Sequence, residues 1–484
     1  MNVPISGIIL VPLTLGIFCF SSYTAEWAIF TAVFQGAALV NMGGGFSIGL
    51  SPYFFVTALV ALGVVPQLLT GKICFLEDEP VRVDVHGLII FIAWCVLSAF
   101  LLPVMFQGIP VDSPKVGVDA SYYTQLPLQW SFSNAGQAGY MMLNFIFVVR
   151  LLQLCVSQKR LERLVNAFSW SGVFAAAVAL YQVFCHRFGL SFPSWLFNSN
   201  QAWAELPNQF VGPGFSRING TFVEPSAAAV FFSAWSVFEL SLAMGLGRQG
   251  GRHWLWATVG TLVLVATAST TGYITAALIW VVMAWDCMSN LLLRGFIKTK
   301  ATLIALGLGS AGLAALAFLP GVWLLLDALF FSKGQSASGL HRSATFGRAV
   351  GVFLNSWGLG VGLGSNRAMS AFFYVLSNLG WPGLILIGWL LSRLYSQVRV
   401  QLRSVCDSVH RTFLYGFTAA FSANLLALIL SGAEISQPHL WILWGLLLGT
   451  LRHDWLRDRR LDGGVSAAAI PPIPSQLVSA DLRV

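Results

Sequence analysis

The sequence predicts an all-α polytopic membrane protein, a bundle of about 12–13 transmembrane helices with two long extracytoplasmic loops. Three observations predict it. Hydrophobic residues fill 56% of the 484 positions and charged residues only 10%, with a mean hydropathy of +0.74, more than a water-soluble domain of this length carries. Apolar windows of about 20 residues, the length a helix needs to cross a bilayer, recur along most of the chain. The basic residues sit between those windows. A soluble enzyme is excluded, and the net charge of +8 reads as membrane topology with no nucleic-acid partner.

In chain order the windows fall near 5–20, 25–41, 53–71, 87–107, 137–155, 165–186, 225–246, 254–269, 271–291, 301–330, 369–392, 412–431 and 438–452. The first has no basic leader and no A-x-A motif, so it is expected to stay as a helix. The second is the least secure. Glycines 43–45 and Pro52 suit an irregular segment, and a half-helix over residues 26–40 would put both chain ends in the cytoplasm; a full span would put the N-terminus outside. Residues 462–484, with Pro471, Pro472 and Pro474, are too weakly apolar to pack and read as a disordered cytoplasmic tail, leaving residues 1–461 as one transmembrane domain. No internal repeat is visible. The seven cysteines form no C-x-x-C pair and mostly lie in apolar runs, as small buried hydrophobes do.

Charge orients the bundle. Arg150, Lys159, Arg160 and Arg163 share one connection; Arg248 with Arg252, Arg294 with Lys298 and Lys300, Arg393 with Arg399, Arg403 and Arg411, and Arg452 with Arg457, Arg459 and Arg460 occupy others. Placing all of them in the cytoplasm satisfies the positive-inside rule, provided residues 269–272 form a tight turn on the far side. Of the 27 Lys and Arg, only Lys115, Arg187, Arg217, Lys333, Arg342, Arg348 and Arg367 then face outward. Lys115 and Lys333 fit long loops that translocate regardless of charge, whereas the five arginines lie near membrane entry points or the Gly-rich loop.

Two long outside loops, 187–224 and 332–367, stand out among short connections. The first carries Trp195, Phe197, Trp203, Phe210 and Phe215, suited to a bilayer interface or to a sugar face. It ends with Arg217, Asn219 and Glu224 before Pro225, which suits the first turn of the next helix. Helix N-termini attract anions, and an arginine beside one makes a phosphate site. Glu224 there reads as a base, as a carboxylate complementing the helix dipole, or as an ion-pair partner of Arg217.

The second loop carries His341, Arg342, Arg348, alternating glycines from Gly358 to Gly364, and Arg367. No strand precedes the glycines and no G-K-[ST] follows, so a nucleotide loop is a very weak reading. Two others stay open: backbone N–H groups approaching an oxyanion, or a flexible turn with solvated arginines. Six residues apart on a helix, Arg342 and Arg348 diverge by about 120°, so at most one is expected to point into a given pocket. His341 reads as a structural histidine or a proton carrier. The intramembrane acids Glu239, Asp286 and Asp327 are functional candidates by position but suggest no relay.

Outward arginines at a membrane boundary suit a phosphate-bearing lipid. Two or three could hold a diphosphate bidentately, namely Arg217 with Arg342, Arg348 or Arg367, and neutralise it as a leaving group. A nearby Glu224 or His341 would take the acceptor proton. With no clear Asp/His cluster in the sequence, the arginines stand where a metal would, and no metal or cofactor is expected.

Arg217-Ile-Asn-Gly-Thr-Phe-Val-Glu-Pro-Ser226, Ala268-Ser-Thr-Thr-Gly272, Trp357-Gly-Leu-Gly-Val-Gly-Leu-Gly364 and Gly380-Trp-Pro-Gly383-Leu carry a resemblance over roughly the second half of the chain. In order and placement they resemble the O-antigen ligase and Wzy-type polymerase superfamily. The resemblance implies a metal-independent membrane glycosyltransferase of the bacterial inner membrane. Its donor would be an undecaprenyl-diphosphate-linked glycan, its surroundings membrane lipids, and its partners a flippase and a chain-length regulator. It implies Arg217 as the first-loop arginine, with Arg342 or Arg348 as the second. Thr270 and Thr271 stand where many relatives carry an arginine. Counting eleven residues back from Gly380 reaches Met369 where ligases have histidine, which favours polymerisation of O-antigen or exopolysaccharide repeats over transfer to lipid A core. A lipid or solute transporter is the reading from another class; it predicts corresponding broken helices in two halves and polar groups near the midplane, whereas the polar groups of interest sit in outside loops and no repeat is visible.

Overall fold

The chain folds as an all-α polytopic membrane protein in a computed structural model that describes residues 2–42, 48–70, 79–112, 125–201, 217–278, 337–405, 407–432 and 434–461. In order these form α1 (Ile5–Phe20), α2 (Thr24–Thr31), β1 (Val40–Met42), β2 (Ile48–Leu50), α3 (Pro52–Leu69), α4 (Glu79–Met105), β3 (Pro110–Asp112) and β4 (Gln125–Pro127). Then come α5 (Phe132–Leu154), α6 (Gln158–Phe188), α7 (Ser194–Phe197), α8 (Pro225–Gly245), α9 (Gly251–Ala266), a helical stretch over 270–278, α10 (Ala337–Asn355), α11 (Ala371–Ser404), α12 (Ser408–Ser431) and α13 (Pro438–Leu461). Among the described residues seven helices are long and apolar enough to cross a membrane: α3, α4, α5, α6, α8, α11 and α12. Residues 279–291 of the expected span 271–291, the expected span 301–330, Asp286, Asp327, Lys115, Lys333, glycines 43–45, Trp203, Phe210, Phe215 and the tail 462–484 lie outside the described residues.

The second expected span is not a continuous helix. α2 is only 8 residues long, and residues 32–39 continue as irregular, largely buried backbone. Irregular backbone inside a bundle must find its hydrogen bonds in protein. Here the Ser6 hydroxyl donates to the Ala38 carbonyl (2.6 Å), the Gly36 amide to the Thr221 carbonyl (2.8 Å), and the Asn200 amide to the Gly36 carbonyl (3.0 Å). The half-helix and this segment together make a return crossing. Asn2 therefore pairs with Asn41 at the end of the bundle opposite the basic clusters, the placement that a full second span implies.

The described members of those clusters gather at one end. The Arg452 guanidinium donates to the Leu152 carbonyl (2.7 Å), joining the ends of α13 and α5. Arg252 donates to Asn166 (3.0 Å), joining the starts of α9 and α6, and Arg393 of α11 pairs with Asp84 of α4 (3.2 Å). Glu26 of α2 pairs there with Arg163 (3.1 Å), whose guanidinium also covers the Tyr23 ring.

α8 is the most enclosed span, apolar on every side and packed between α9 and α12. Its Trp235 is clasped by Gly172 of α6 and Gly260 of α9, where any Cβ would overlap the indole. Between membrane helices such small residues allow the close approach that apolar burial alone does not drive. Glu239, one turn further on, is fully buried and lies 2.6 Å from His253 Nδ1 on α9, so this intramembrane acid closes a local pair, with no relay evident. The described free cysteines Cys95, Cys155 and Cys185 are buried, and Cys19 is exposed.

Candidate functional site at the end opposite the basic clusters

Pro225 occupies the first turn of α8, and Glu224 is its N-cap residue in extended backbone, as the Glu-Pro step anticipates. The Glu224 side chain makes no cap; it is exposed and accepts a hydrogen bond from the Ser226 hydroxyl. Arg217 enters from the preceding loop. Gln182 of α6 accepts the backbone N–H groups of Asn219 (3.0 Å) and Gly220 (2.7 Å), and its amide donates to Asn219 Oδ1 (2.8 Å), so the Arg217–Glu224 arch is held from beneath. The Arg217 guanidinium is half-buried, 3.4 Å from the Thr267 carbonyl in the tight turn that opens the 270–278 helix. That turn carries Ala268 at φ 46°.

Burial lowers the Arg217 pKa from its ordinary value; Glu224 opposes that shift, Arg342 adds to it, and Tyr273 opposes it. Arg342 from α10 has therefore come into the electrostatic neighbourhood of Arg217 from 125 positions away. An arginine stays charged under such a shift, so Arg217 stands as a cation beside a helix N-terminus with one carboxylate on the rim and a second cation, Arg342, within electrostatic reach. Like charges within reach of one another repel, and an oxyanion between them would offset that cost.

The second loop is largely helix: α10 runs through His341, Arg342 and Arg348. Arg342 and Arg348 diverge as their spacing requires. The Arg348 Nε donates to the Asp112 carboxylate of β3 at 2.8 Å and 2.9 Å, and the Arg367 amide donates to the Asp112 carbonyl (3.0 Å). Asn366 accepts the Asp112 amide (2.9 Å). Arg348 is therefore engaged by Asp112 in a second group with the Arg367 backbone, and Arg342 is the arginine brought to Arg217. The His341 side chain lies outside the described residues. Arg187 belongs to the last turn of α6, so the first loop begins after Phe188.

The alternating glycines neither cradle an oxyanion nor form a flexible turn. Gly358, Gly360, Gly362 and Gly364 all adopt positive φ, and their segment packs backbone to backbone against the kink at Gly380 inside α11. Its amides already have protein acceptors: Val361 donates to the Ser377 carbonyl, Gly362 to the Asn378 carbonyl, and Ser365 and Asn366 to Asn378 Oδ1, at 2.9–3.1 Å.

The loop between α12 and α13 adds groups that sequence reasoning missed. Glu434 accepts from the Ser436 hydroxyl (3.3 Å), and Gln137 of α5 accepts from the same hydroxyl (2.8 Å). Burial raises the Glu434 pKa, with Gln137 and Ser436 opposing. Glu434 faces Tyr140 and Tyr374 electrostatically, and Gln137 lies under Gly364. On the other side of the loop Gln35 reaches Gln437 (3.1 Å) and His439 (3.3 Å), and His439 packs on Phe231. The loop thus bridges the Gly-rich segment and the Arg217 arch. A lone acid in a short polar break between two apolar windows was the available signal.

Fold and site define a polytopic membrane protein with a cationic arch at one end of its bundle. No protein-family model matches the chain, and no curated protein matches it significantly.

Proposed function

We propose that this protein is a membrane-embedded glycosyltransferase that extends a glycan carried on a polyprenyl diphosphate, as a polymerase of O-antigen or exopolysaccharide repeats at the outer face of a bacterial inner membrane. The observation that supports it most is the half-buried Arg217 guanidinium beside the N-terminus of α8, with Arg342 in its electrostatic neighbourhood, at the end of the bundle away from the basic clusters. The two guanidinium groups bind the diphosphate and take up its charge as the anomeric C–O bond breaks. The acceptor hydroxyl forms the new bond to that carbon, and its proton passes to Glu224 on the rim. Arg348 and Arg367 act one step away, by holding β3 against the second loop through Asp112.

Arg217→Ala and Arg342→Ala should each abolish long-chain polymer while the protein still inserts in the membrane. Wild-type chain lengths in either variant would overturn the assignment. The same gel of lipid-linked glycans reports the acceptor. Cells lacking the protein accumulate single repeats if it is a polymerase, and full-length polymer on the carrier lipid if it is a ligase.

A further inference from the structure

At the basic end, helices far apart in sequence bring two imidazoles and a carboxylate together. His410 lies in the first turn of α12, and His453 and Asp454 lie on α13. His410 Nε2 is 2.9 Å from His453 Nδ1 and 3.8 Å from Asp454 Oδ1, and one ligand atom from each residue falls within 4.8 Å of the others. All three are buried, His410 and Asp454 completely. The ring centres are 4.4 Å apart, with 23° between the ring planes. A straight N–H···N bond of ordinary length would hold the centres about 5 Å apart. A shared ion about 2.2 Å from each nitrogen, near the usual metal–imidazole length, reproduces both separations.

The surroundings suit such an ion. Asp407, the N-cap of α12, places Oδ2 3.6 Å from His410 Nδ1, on the far side of the ring from the cluster. At that distance the carboxylate makes no hydrogen bond, but its charge favours a proton on the nearer ring nitrogen and so a lone pair on the one that faces the cluster. The adjacent Arg452 donates through Nη1 to the Leu152 carbonyl.

We propose that His410 Nε2, His453 Nδ1 and the Asp454 carboxylate bind one divalent first-row transition ion. The ion is structural: it staples the start of α12 to the end of α13 and has no part in the transfer chemistry at the opposite end. The proposal is independent of that chemistry.

The test uses the full-length chain in detergent, without a polyhistidine tag, stripped with chelator and titrated with Co²⁺ or Zn²⁺. One Co²⁺ per chain should bind with visible d–d absorption, and Zn²⁺ should displace it and raise the melting temperature. His410→Gln and Asp454→Asn should each lose the absorption and the thermal shift. Absence of a Co²⁺ band and of a Zn²⁺-dependent shift in the wild type overturns the site, whether or not the variants fold. Variants that fold and bind Co²⁺ as the wild type does overturn it as well.

Discussion

Arg348 Nε lies 2.8 Å from the Asp112 carboxylate, and Asp112 is only 1% exposed. Removing either partner leaves the other charge in a protein interior. Arg348→Ala should cost about 3 kcal/mol of stability, discounted somewhat because Arg348 itself is partly exposed. Arg342→Ala should leave the melting temperature within about a degree while removing product. Melting curves in detergent, run beside the polymer assay, separate the two arginines; equal melting losses would place both in the scaffold.

Arg217 tests the geometry of the arch apart from its charge. Arg217→Lys keeps a cation but gives up the planar fork that grips a diphosphate at two points. The loss of a charged, bidentate contact is worth roughly 2–3 kcal/mol, or about 30- to 150-fold in kcat/KM. A reconstituted assay with a lipid-diphosphate donor measures it, and full activity in the lysine variant would reduce Arg217 to a point charge.

The Gly-rich segment makes a contrast of substitutions. Gly360 sits at φ +82°, and an added Cβ would lie 2.6 Å from the Asn378 backbone; Gly380, at φ +61°, would meet the Gly358 and Leu359 backbone. Gly360→Ala and Gly380→Ala should each destabilise by about 2 kcal/mol or more. Gly388, helical and open on α11, should tolerate alanine or gain up to about 1 kcal/mol.

The contrast marks what the sequence made legible. The seven long apolar helices, the described part of the basic end, the Glu224-Pro225 helix start and the engagement of Arg348 apart from Arg342 follow from local rules of length, charge and helical angle. Which arginine joins Arg217 does not, because that choice is made by Asp112, some 236 positions from Arg348. The glycine pattern left an anion loop and a flexible turn both open, because positive φ serves tight backbone packing as well as ligand approach. Glu434 and the His410–His453 meeting depend on helix packing that no window of sequence contains.

Glu434 gives the pH dependence. Burial raises its pKa, so the folded protein holds that proton more tightly than the unfolded chain does. The stability that this confers is complete below the unfolded carboxyl pKa and is lost as pH rises through the raised folded value. Glu434→Gln should therefore flatten the melting temperature between about pH 5 and 8 and match or exceed the wild type at the upper end. A variant that melts lower at pH 8, with an unchanged slope, would refute this account.

Ser6 and Gly7 press the first helix against an unwound strip of chain, Ser6 through its hydroxyl on Ala38 and Gly7 through close approach to Leu39, while Ile8, Ile9 and Leu13 point away. That helix is thus a shutter between this irregular backbone, whose hydrogen bonds are made within the protein, and hydrocarbon. Shortening it would wet or unravel the bundle from within, so the leading residues are poor ground for truncation or for a fusion partner.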